Sequence, residues 1–565
     1  MLNDSQREVA FVRTGNTIVS ASPGTGKTKT LVARAQRKLE SILDGKSLAL
    51  ITYTNAAADE IASRLIADEY DVFIGTIHRF CLFYILRPFG WINEWEQPRV
   101  VSYDELLEFI EDNEDLDLGG SPLDQLSKIK KKLDGTLDST VEWDNGTSLE
   151  VTAEVFYNFL NEIGAIDFNE ILYRSYKLIS ESDFIATSIA NKFYEIAIDE
   201  FQDTNIFQYE IFKKINSLGD CTFFIVGDEK QKIYRFAGAI DNAFGRASTD
   251  FEAPIDFLNI TYRSTWGIVN AYKSLFENHP QLDNQSIYNQ DNNPIIIQSS
   301  ANGNDNLRII KSYVTRLIDA NMPISEIAIL TNSWREAIAI SRHLRTDYHV
   351  VGLGALPHKS MSSSTFHLLR SLSRYIQEPN IGRLRAVKRN IEQHAMENSI
   401  LEEDSQIVGW LNALITELTF LDVEMNLIEG LSEMKSLFDS IFNFNHAAFE
   451  EISEGINEDE AVFWTMDKYL KTLSGIDGVM VNTIHQSKGL EFGAVILNGV
   501  NKNSIPHQRR LNMESWDRAP LTDEDREDGR TKLYVGLSRA KQVLIVMHNV
   551  HGPSMFIPII RRSIN

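Results

Sequence analysis

The sequence predicts an α/β protein built from two parallel-sheet domains, each carrying a mainly helical insertion. Three observations lead there. Short apolar runs alternate with helix-patterned stretches near both ends of the chain. The first of these runs, residues 17–20, enters a helix through a glycine-rich loop. Strand-like runs then disappear over about 86–164 and again over about 361–474, where helical spacing takes over.

The loop reads Ala21-Ser22-Pro23-Gly24-Thr25-Gly26-Lys27-Thr28, with Lys29 opening the helix behind it. Strand, loop, Gly-Lys-Thr and helix follow in the order of a phosphate-binding loop. The glycines allow backbone N–H groups to close around phosphates, Lys27 reaches the β/γ oxygens, and the Thr28 hydroxyl suits Mg²⁺. Ala21 departs from the strict pattern, which has glycine there.

With 565 residues the chain is too long for one core and should divide into three or four domains. Hydrophobic residues make up 43% and charged residues 24%, a globular composition, and no apolar run is long enough to span a bilayer. Neither a signal-like N-terminus nor a cysteine framework is present: Cys81 and Cys221 are the only cysteines, and both sit among apolar neighbours. A cytoplasmic location, no membrane partner and buried core thiols are therefore expected. The net charge of −24 argues against nucleic acid until its distribution is considered. Residues 401–475 hold 16 acidic and 3 basic side chains, more than half of the imbalance. That segment suits a basic partner or a solvated helical surface, and a nucleic-acid groove elsewhere stays open.

In chain order, strands are expected at 17–20, 48–53 and 72–75, then helices at 103–113, 122–133 and 149–163 within the first insertion. Strands return at 195–198 and 221–226. A second set follows at 295–298, 327–330, 479–482, 494–497 and 543–547. The first domain is thus assigned to 1–85 and 165–254, with 86–164 as its insertion. The second is assigned to 255–360 and 475–565, with 361–474 as a compact acidic helical insertion.

The strand Ile196-Ala197-Ile198 ends in Asp199-Glu200, the complement of a phosphate loop: Asp199 to hold Mg²⁺, Glu200 to orient or deprotonate an attacking water. Its continuation, Phe201-Gln202-Asp203-Thr204, is followed by Val226-Gly227-Asp228-Glu229-Lys230-Gln231, Tyr262-Arg263-Ser264-Thr265, His485-Gln486-Ser487-Lys488-Gly489-Leu490-Glu491-Phe492 and Tyr534-Val535-Gly536-Leu537-Ser538-Arg539-Ala540. This ordered set resembles the motifs of UvrD/Rep-like superfamily 1 DNA helicases, from Gln6 to Arg539, most weakly in both insertions.

The resemblance implies two tandem RecA-like P-loop motor domains with ATP and Mg²⁺ between them and single-stranded or partly duplex DNA as substrate, translocated 3′ to 5′. It also implies residue roles. Gln6 reads the adenine edge, Tyr262 stacks on the base and Glu491 binds the ribose. Gln231 senses the γ-phosphate, and Arg263 and Arg539 reach the phosphates from the second domain, completing a charge site that hydrolysis and closure share. Tyr53, Thr54, Asn55, Thr76, His78, Thr483 and His485 resemble the strand-binding motifs, and Tyr234 and Phe236 resemble a base-stacking aromatic pair. Phe236-Ala237 stands where the family has Trp-Arg; Thr261 and Ser538 are milder departures.

Two basic clusters, Lys128/Lys130/Lys131/Lys132 and Arg383/Arg385/Lys388/Arg389, suit either duplex contact or solvated helix faces. Compact UvrD-like chains also resemble the helicase-like subunit of Gabija anti-phage systems, which stands beside an OLD-like TOPRIM nuclease. A regulatory ATPase that gates such a nuclease is the alternative to a freestanding helicase.

Overall fold

The computed structural model describes residues 2–564 apart from 42–44, 67–70, 96–98, 114, 119–121, 142, 144–145, 236–237, 291–294, 359–362, 398–403, 419, 445, 447, 458–460 and 509–517. Phe236 and Ala237 lie outside the described residues.

Strands β1 (Thr17–Ala21), β2 (Ser47–Thr52), β3 (Val72–Thr76), β4 (Phe193–Ile198), β5 (Thr222–Gly227) and β6 (Ile255–Leu258) form one sheet in the order β3-β2-β4-β5-β1-β6. Every neighbouring pair is parallel. The central strands are apolar along their whole length because helices cover both faces; β2 is buried throughout. Parallel pairing brings the ends of β1, β5 and β4 to one edge, so the phosphate loop, the Asp228 loop and the Asp199-Glu200 pair lie side by side.

A second sheet comprises β7 (Ile296–Ser300), β8 (Ile327–Thr331), β9 (Val350–Gly352), β10 (Val479–Thr483), β11 (Phe492–Leu497) and β12 (Ala540–Asn549), in the order β7-β12-β11-β8-β10-β9. It too is parallel throughout. The predicted α/β class with two parallel sheets is the observed one.

The domain division at 254/255 shifts. Ile255–Leu258 pairs with β1, Ile18 opposite Ile255 and Ala21 opposite Leu258, so the chain leaves the first sheet only after that strand. Its outer face exposes Phe257, as an edge strand does, and only its partner reveals which sheet it joins. β9, three residues long, gives no periodic signal and was not expected.

The first insertion packs helices Tyr103–Asp112, Pro122–Ser127 and Leu149–Glu162 around Phe109, Ile129, Phe156 and Leu160. The helix expected to reach 133 stops at Ser127. Gly135 at φ +85° turns the chain so that the Lys132 N–H meets Thr136 O at 2.7 Å, and Lys131 bridges Leu137 in antiparallel fashion. The lysine cluster is consequently no helix face: Lys131 pairs with Glu170 at 2.6 Å and lies over the Tyr157 and Tyr173 rings.

Among the described residues the second insertion has helices Ser364–Gln377, Ile381–Glu397, Asp404–Leu418, Leu427–Phe442, Ala448–Glu454 and Met466–Ser474, around Leu369, Leu414, Met434 and Tyr469. Helix Ile381–Glu397 docks on helix Asn55–Arg64 of the first domain. Arg389 pairs with Asp59, Arg79 with Glu392 at 2.7 Å, and the Arg385 guanidinium donates to Leu65 O at 3.2 Å. Close approach requires Gly382, where a Cβ would stand 2.5 Å from Ser63 Cβ. This basic cluster is therefore an internal seam. Cys81 and Cys221 are buried and unbridged, and burial pushes both thiols up to about 12. No helix among the described residues is long and apolar enough to cross a membrane.

Candidate nucleotide and nucleic-acid site

The phosphate loop closes β1 onto helix Lys27–Leu39. Gly24 and Gly26 take φ of +73° and +83°, a left-handed backbone that side-chain-bearing residues rarely adopt. The space agrees: a Cβ at Gly24 would stand 2.5 Å from Arg263 Cβ, and one at Gly26 2.5 Å from Gln6 Nε2. Thr25 pins the loop by donating its hydroxyl proton to Ser22 O at 2.8 Å. Lys27 and Thr28 stand in the first helical turn, and Lys27 Nζ lies 3.4 Å from Glu200 Oε1.

Asp199 continues the sheet past β4, its N–H bonding Ile51 O at 2.9 Å, and its carboxylate accepts the Glu200 N–H at 2.9 Å. Glu200 is strained at φ +53°, and its side chain meets the Gln202 amide. Two adjacent buried carboxyls cannot both ionise cheaply, and their surroundings separate them. Burial first, then the Glu200 charge, pushes Asp199 up to about 7. Burial also raises Glu200, but Lys27 and Lys488 outweigh it and hold that carboxyl near 2. The ionised group is thus the one placed to act as base.

Cations from the second domain complete this edge. Arg539 Nη2 donates to Gln231 Oε1 at 3.0 Å, and Arg263 Nε lies 2.7 Å from Glu491. Burial, then the neighbouring Arg263, brings the Arg539 guanidinium down to about 9, the signature of a cation enclosed without a full counter-charge. Pro23, Gly24, Lys27, Thr28, Lys29, Glu60, Arg64, Glu200, Gln231, Tyr262, Arg263, Glu491 and Arg539 line a cavity of about 500 Å³ between the domains. Five cations, a glycine cradle and an open ring fit a nucleoside triphosphate, and Thr28 beside buried Asp199 offers the oxygen ligands that Mg²⁺ takes.

Tyr262 donates its backbone N–H to Gly24 O at 2.9 Å, and its hydroxyl accepts from Asn3 Nδ2 at 2.8 Å, which fixes its ring at the cavity mouth. Gln6 stands differently. It is buried behind the loop with both ends of its amide used, Nε2 on Thr25 O at 2.8 Å and Oε1 on the Asn3 N–H at 3.0 Å. It props the phosphate loop in this state and does not line the cavity.

The other predicted residues gather along the neighbouring strand ends. Thr54 and Thr76 cap the helices after β2 and β3, accepting from the N–H groups of Ala57 and Arg79, and Thr483 makes the same contact to the Gln486 N–H after β10. Tyr53 stacks on Tyr234 with ring centroids 4.5 Å apart, and the Tyr234 hydroxyl reaches His485 O at 3.3 Å. Asn55, Thr76 and His78 line a second cavity, of about 320 Å³, with Arg79, Arg87 and Phe168; His367 and Gln393 of the second insertion close it. Burial lowers both His78 and His485 to about 4, so both rings are neutral at physiological pH.

Sequence reading quoted Lys488 within its motif without giving it a role. Lys488 crosses the domain interface to Asp203, donates to Gln231 O at 2.9 Å and lies over the Tyr234 ring at 5.3 Å. One ammonium thereby touches the acidic strand end, the sensor loop and the aromatic stack. The lysine beside Gly489 was the only available signal.

The description "UvrD/REP helicase N-terminal domain" matches residues 2–252, and "UvrD-like helicase C-terminal domain" matches 257–368 and 368–551. The chain belongs to the UvrD/REP helicase family. Similar proteins include DNA helicase II of Rickettsia typhi, 27% identical over 97% of this chain and 92% of that one. A probable DNA helicase II homolog of Rickettsia conorii is 25% identical over 99% and 94%. The ATP-dependent DNA helicase PcrA of Staphylococcus aureus is 24% identical over 97% and 83%. The two matched regions meet between 252 and 257, beside the edge strand β6, and the cavity with its cations lies where the two UvrD-type halves face each other.

Proposed function

We propose that this UvrD-like helicase hydrolyses ATP between its two parallel-sheet domains and uses closure of that cleft to move along single-stranded DNA, 3′ to 5′. The observation that carries the reading is the contact of Arg539 with Gln231, a second-domain cation on the first-domain sensor beside an ionised Glu200 and Lys27. In this reading Lys27, Arg263 and Arg539 bind and orient the triphosphate, Tyr262 takes the base, Glu491 the ribose, and Glu200 accepts a proton from water. Mg²⁺, held by Thr28 and Asp199, supplies neutralisation of phosphate charge. Tyr53, Tyr234 and His485 serve unstacked bases, and Thr54, Asn55, Thr76, His78 and Thr483 serve phosphates, with Lys488 linking strand and nucleotide. Gln6 reads adenine after giving up its contact with Thr25 O.

A second reading, a subunit that gates a partner nuclease in anti-phage defence, is favoured by one observation. The second insertion closes the cavity holding Asn55, Thr76 and His78, so access there depends on moving helix Ile381–Glu397. The test is ATP hydrolysis with and without single-stranded DNA, with Lys27→Ala as blank, followed by displacement on 3′- and 5′-tailed duplexes. DNA-stimulated hydrolysis with displacement from the 3′ tail supports the motor. DNA-insensitive hydrolysis without displacement supports the gated subunit, and Lys27-independent hydrolysis overturns both.

A further inference from the structure

We propose that Tyr534 and His279 of the second domain are positioning residues for Gln231, acting through Asp228. The inference rests on the helicase reading above. Tyr534 is fully buried on helix Asp523–Leu537, its ring held edge-on by Tyr272 at 5.2 Å and Phe276 at 5.3 Å. Its hydroxyl is a three-way junction: it stands 3.3 Å from Asp228 Oδ2 and 2.9 Å from His279 Nε2, and it also accepts from the Ser22 hydroxyl of the phosphate loop.

Each partner is itself constrained. His279 Nδ1 lies 2.9 Å from Pro280 O, a pure acceptor, so Nδ1 carries a proton and the ring presents a fixed Nε2 to Tyr534. Asp228 accepts Gln231 Nε2 on the same Oδ2 at 2.9 Å, while its backbone N–H is held by Gln202 Oε1 at 2.9 Å. Gln231 Oε1 takes Arg539 at 3.0 Å. The stretch from Tyr534 to Arg539 therefore grips the sensor amide at both ends: Arg539 directly on the oxygen, Tyr534 through the carboxylate that holds the nitrogen. That fixes which way the amide faces. Because the same hydroxyl touches Ser22, the sensor and the phosphate loop take their register from a single atom of the opposite domain.

A structural role for the ring alone predicts that removing the hydroxyl changes little. The positioning role predicts that Tyr534→Phe, which keeps the ring packing, lowers kcat for DNA-stimulated ATP hydrolysis about 10-fold or more while KM for ATP stays within about 3-fold. His279→Ala gives the same split, and His279→Gln, whose amide restores a partner near the position of Nε2, recovers most of kcat. Wild-type kcat in Tyr534→Phe, alongside an inactive Lys27→Ala, overturns the proposal and leaves the helicase reading intact. A His279→Gln protein no better than His279→Ala, with unchanged melting, overturns it as well. Absence of Lys27-dependent hydrolysis in the wild type sinks both.

Discussion

Glu200 combines three features that seldom coincide: a left-handed backbone, a buried carboxylate and an ammonium 3.4 Å away. Such strain persists where the surroundings over-determine it, here through Gln202 and Lys27. Glu200→Gln should keep ATP binding and lower kcat at least about 100-fold, because the amide cannot accept the water's proton; nucleotide affinity and turnover measured separately check both halves. Arg34 makes the opposite case, a charge used for architecture. It and Glu195 are each about 1% exposed, joined at 2.9 and 2.7 Å, and Arg34 also holds Val9 O at 2.8 Å, the carbonyl behind the Gln6 segment. Arg34→Met leaves Glu195 with only the Lys38 ammonium and should cost about 3–5 kcal/mol of stability in denaturant unfolding. Lys27, Asp199 and Arg539 were readable because their neighbours in sequence carry the pattern. Tyr534 with Asp228, 306 positions apart, and Arg34 with Glu195, 161 apart, were not, since no local periodicity encodes a partner across a fold.

Caps decide where several elements begin, and one carries a pH signature. Asp167 starts helix Phe168–Glu181 by accepting the Glu170 N–H at 2.7 Å, yet burial pushes its carboxyl up to about 7. A folded-state value above the unfolded one makes an acid destabilising: the cost begins as pH rises past the unfolded value near 4 and is complete above 7. Asp167→Asn keeps the cap and removes the charge, so it should raise stability at pH 8 by roughly 2 kcal/mol and change it little at pH 4, read from unfolding curves at the two pH values. Long amphipathic helices such as Leu149–Glu162 were legible from spacing. The end of helix Pro122–Ser127 was not, because 128–133 keeps an acceptable pattern and the Asp134-Gly135 turn overrides it. Likewise β6 showed itself as a strand but not as a member of the first sheet.

The molecule joins its domains through seams of opposite charge, a use of lysine and arginine that a net charge of −24 conceals. At one seam Lys488 and Arg539 enter the first domain; at the other Arg79 pairs with Glu392, and Arg389 with Asp59. Arg389→Asp should open the second seam and Asp59→Arg in the same chain should restore it. The distance between dyes on helices Asn55–Arg64 and Ile381–Glu397 reports both, and a distance unchanged in the single variant would show the seam to be idle. The two-sheet plan and both insertions followed from alternation and its interruption, whereas the seams joining them did not, because the basic clusters looked the same as solvated helix faces until their partners were known.

The order of strands sets a timetable for synthesis. β12, the last strand made, lies between β7 and β11, and β4, which delivers Asp199, lies between β2 and β5 although the first insertion separates it from β2 in the chain. As the polypeptide leaves the ribosome, the phosphate loop emerges early but waits for the first insertion to pass before meeting its carboxylates. The second sheet keeps a vacant central slot until the final stretch appears. The nucleotide cleft is therefore assembled at the close of translation, and chains terminated before Ala540 should accumulate as folding intermediates with exposed strand edges rather than as weaker motors.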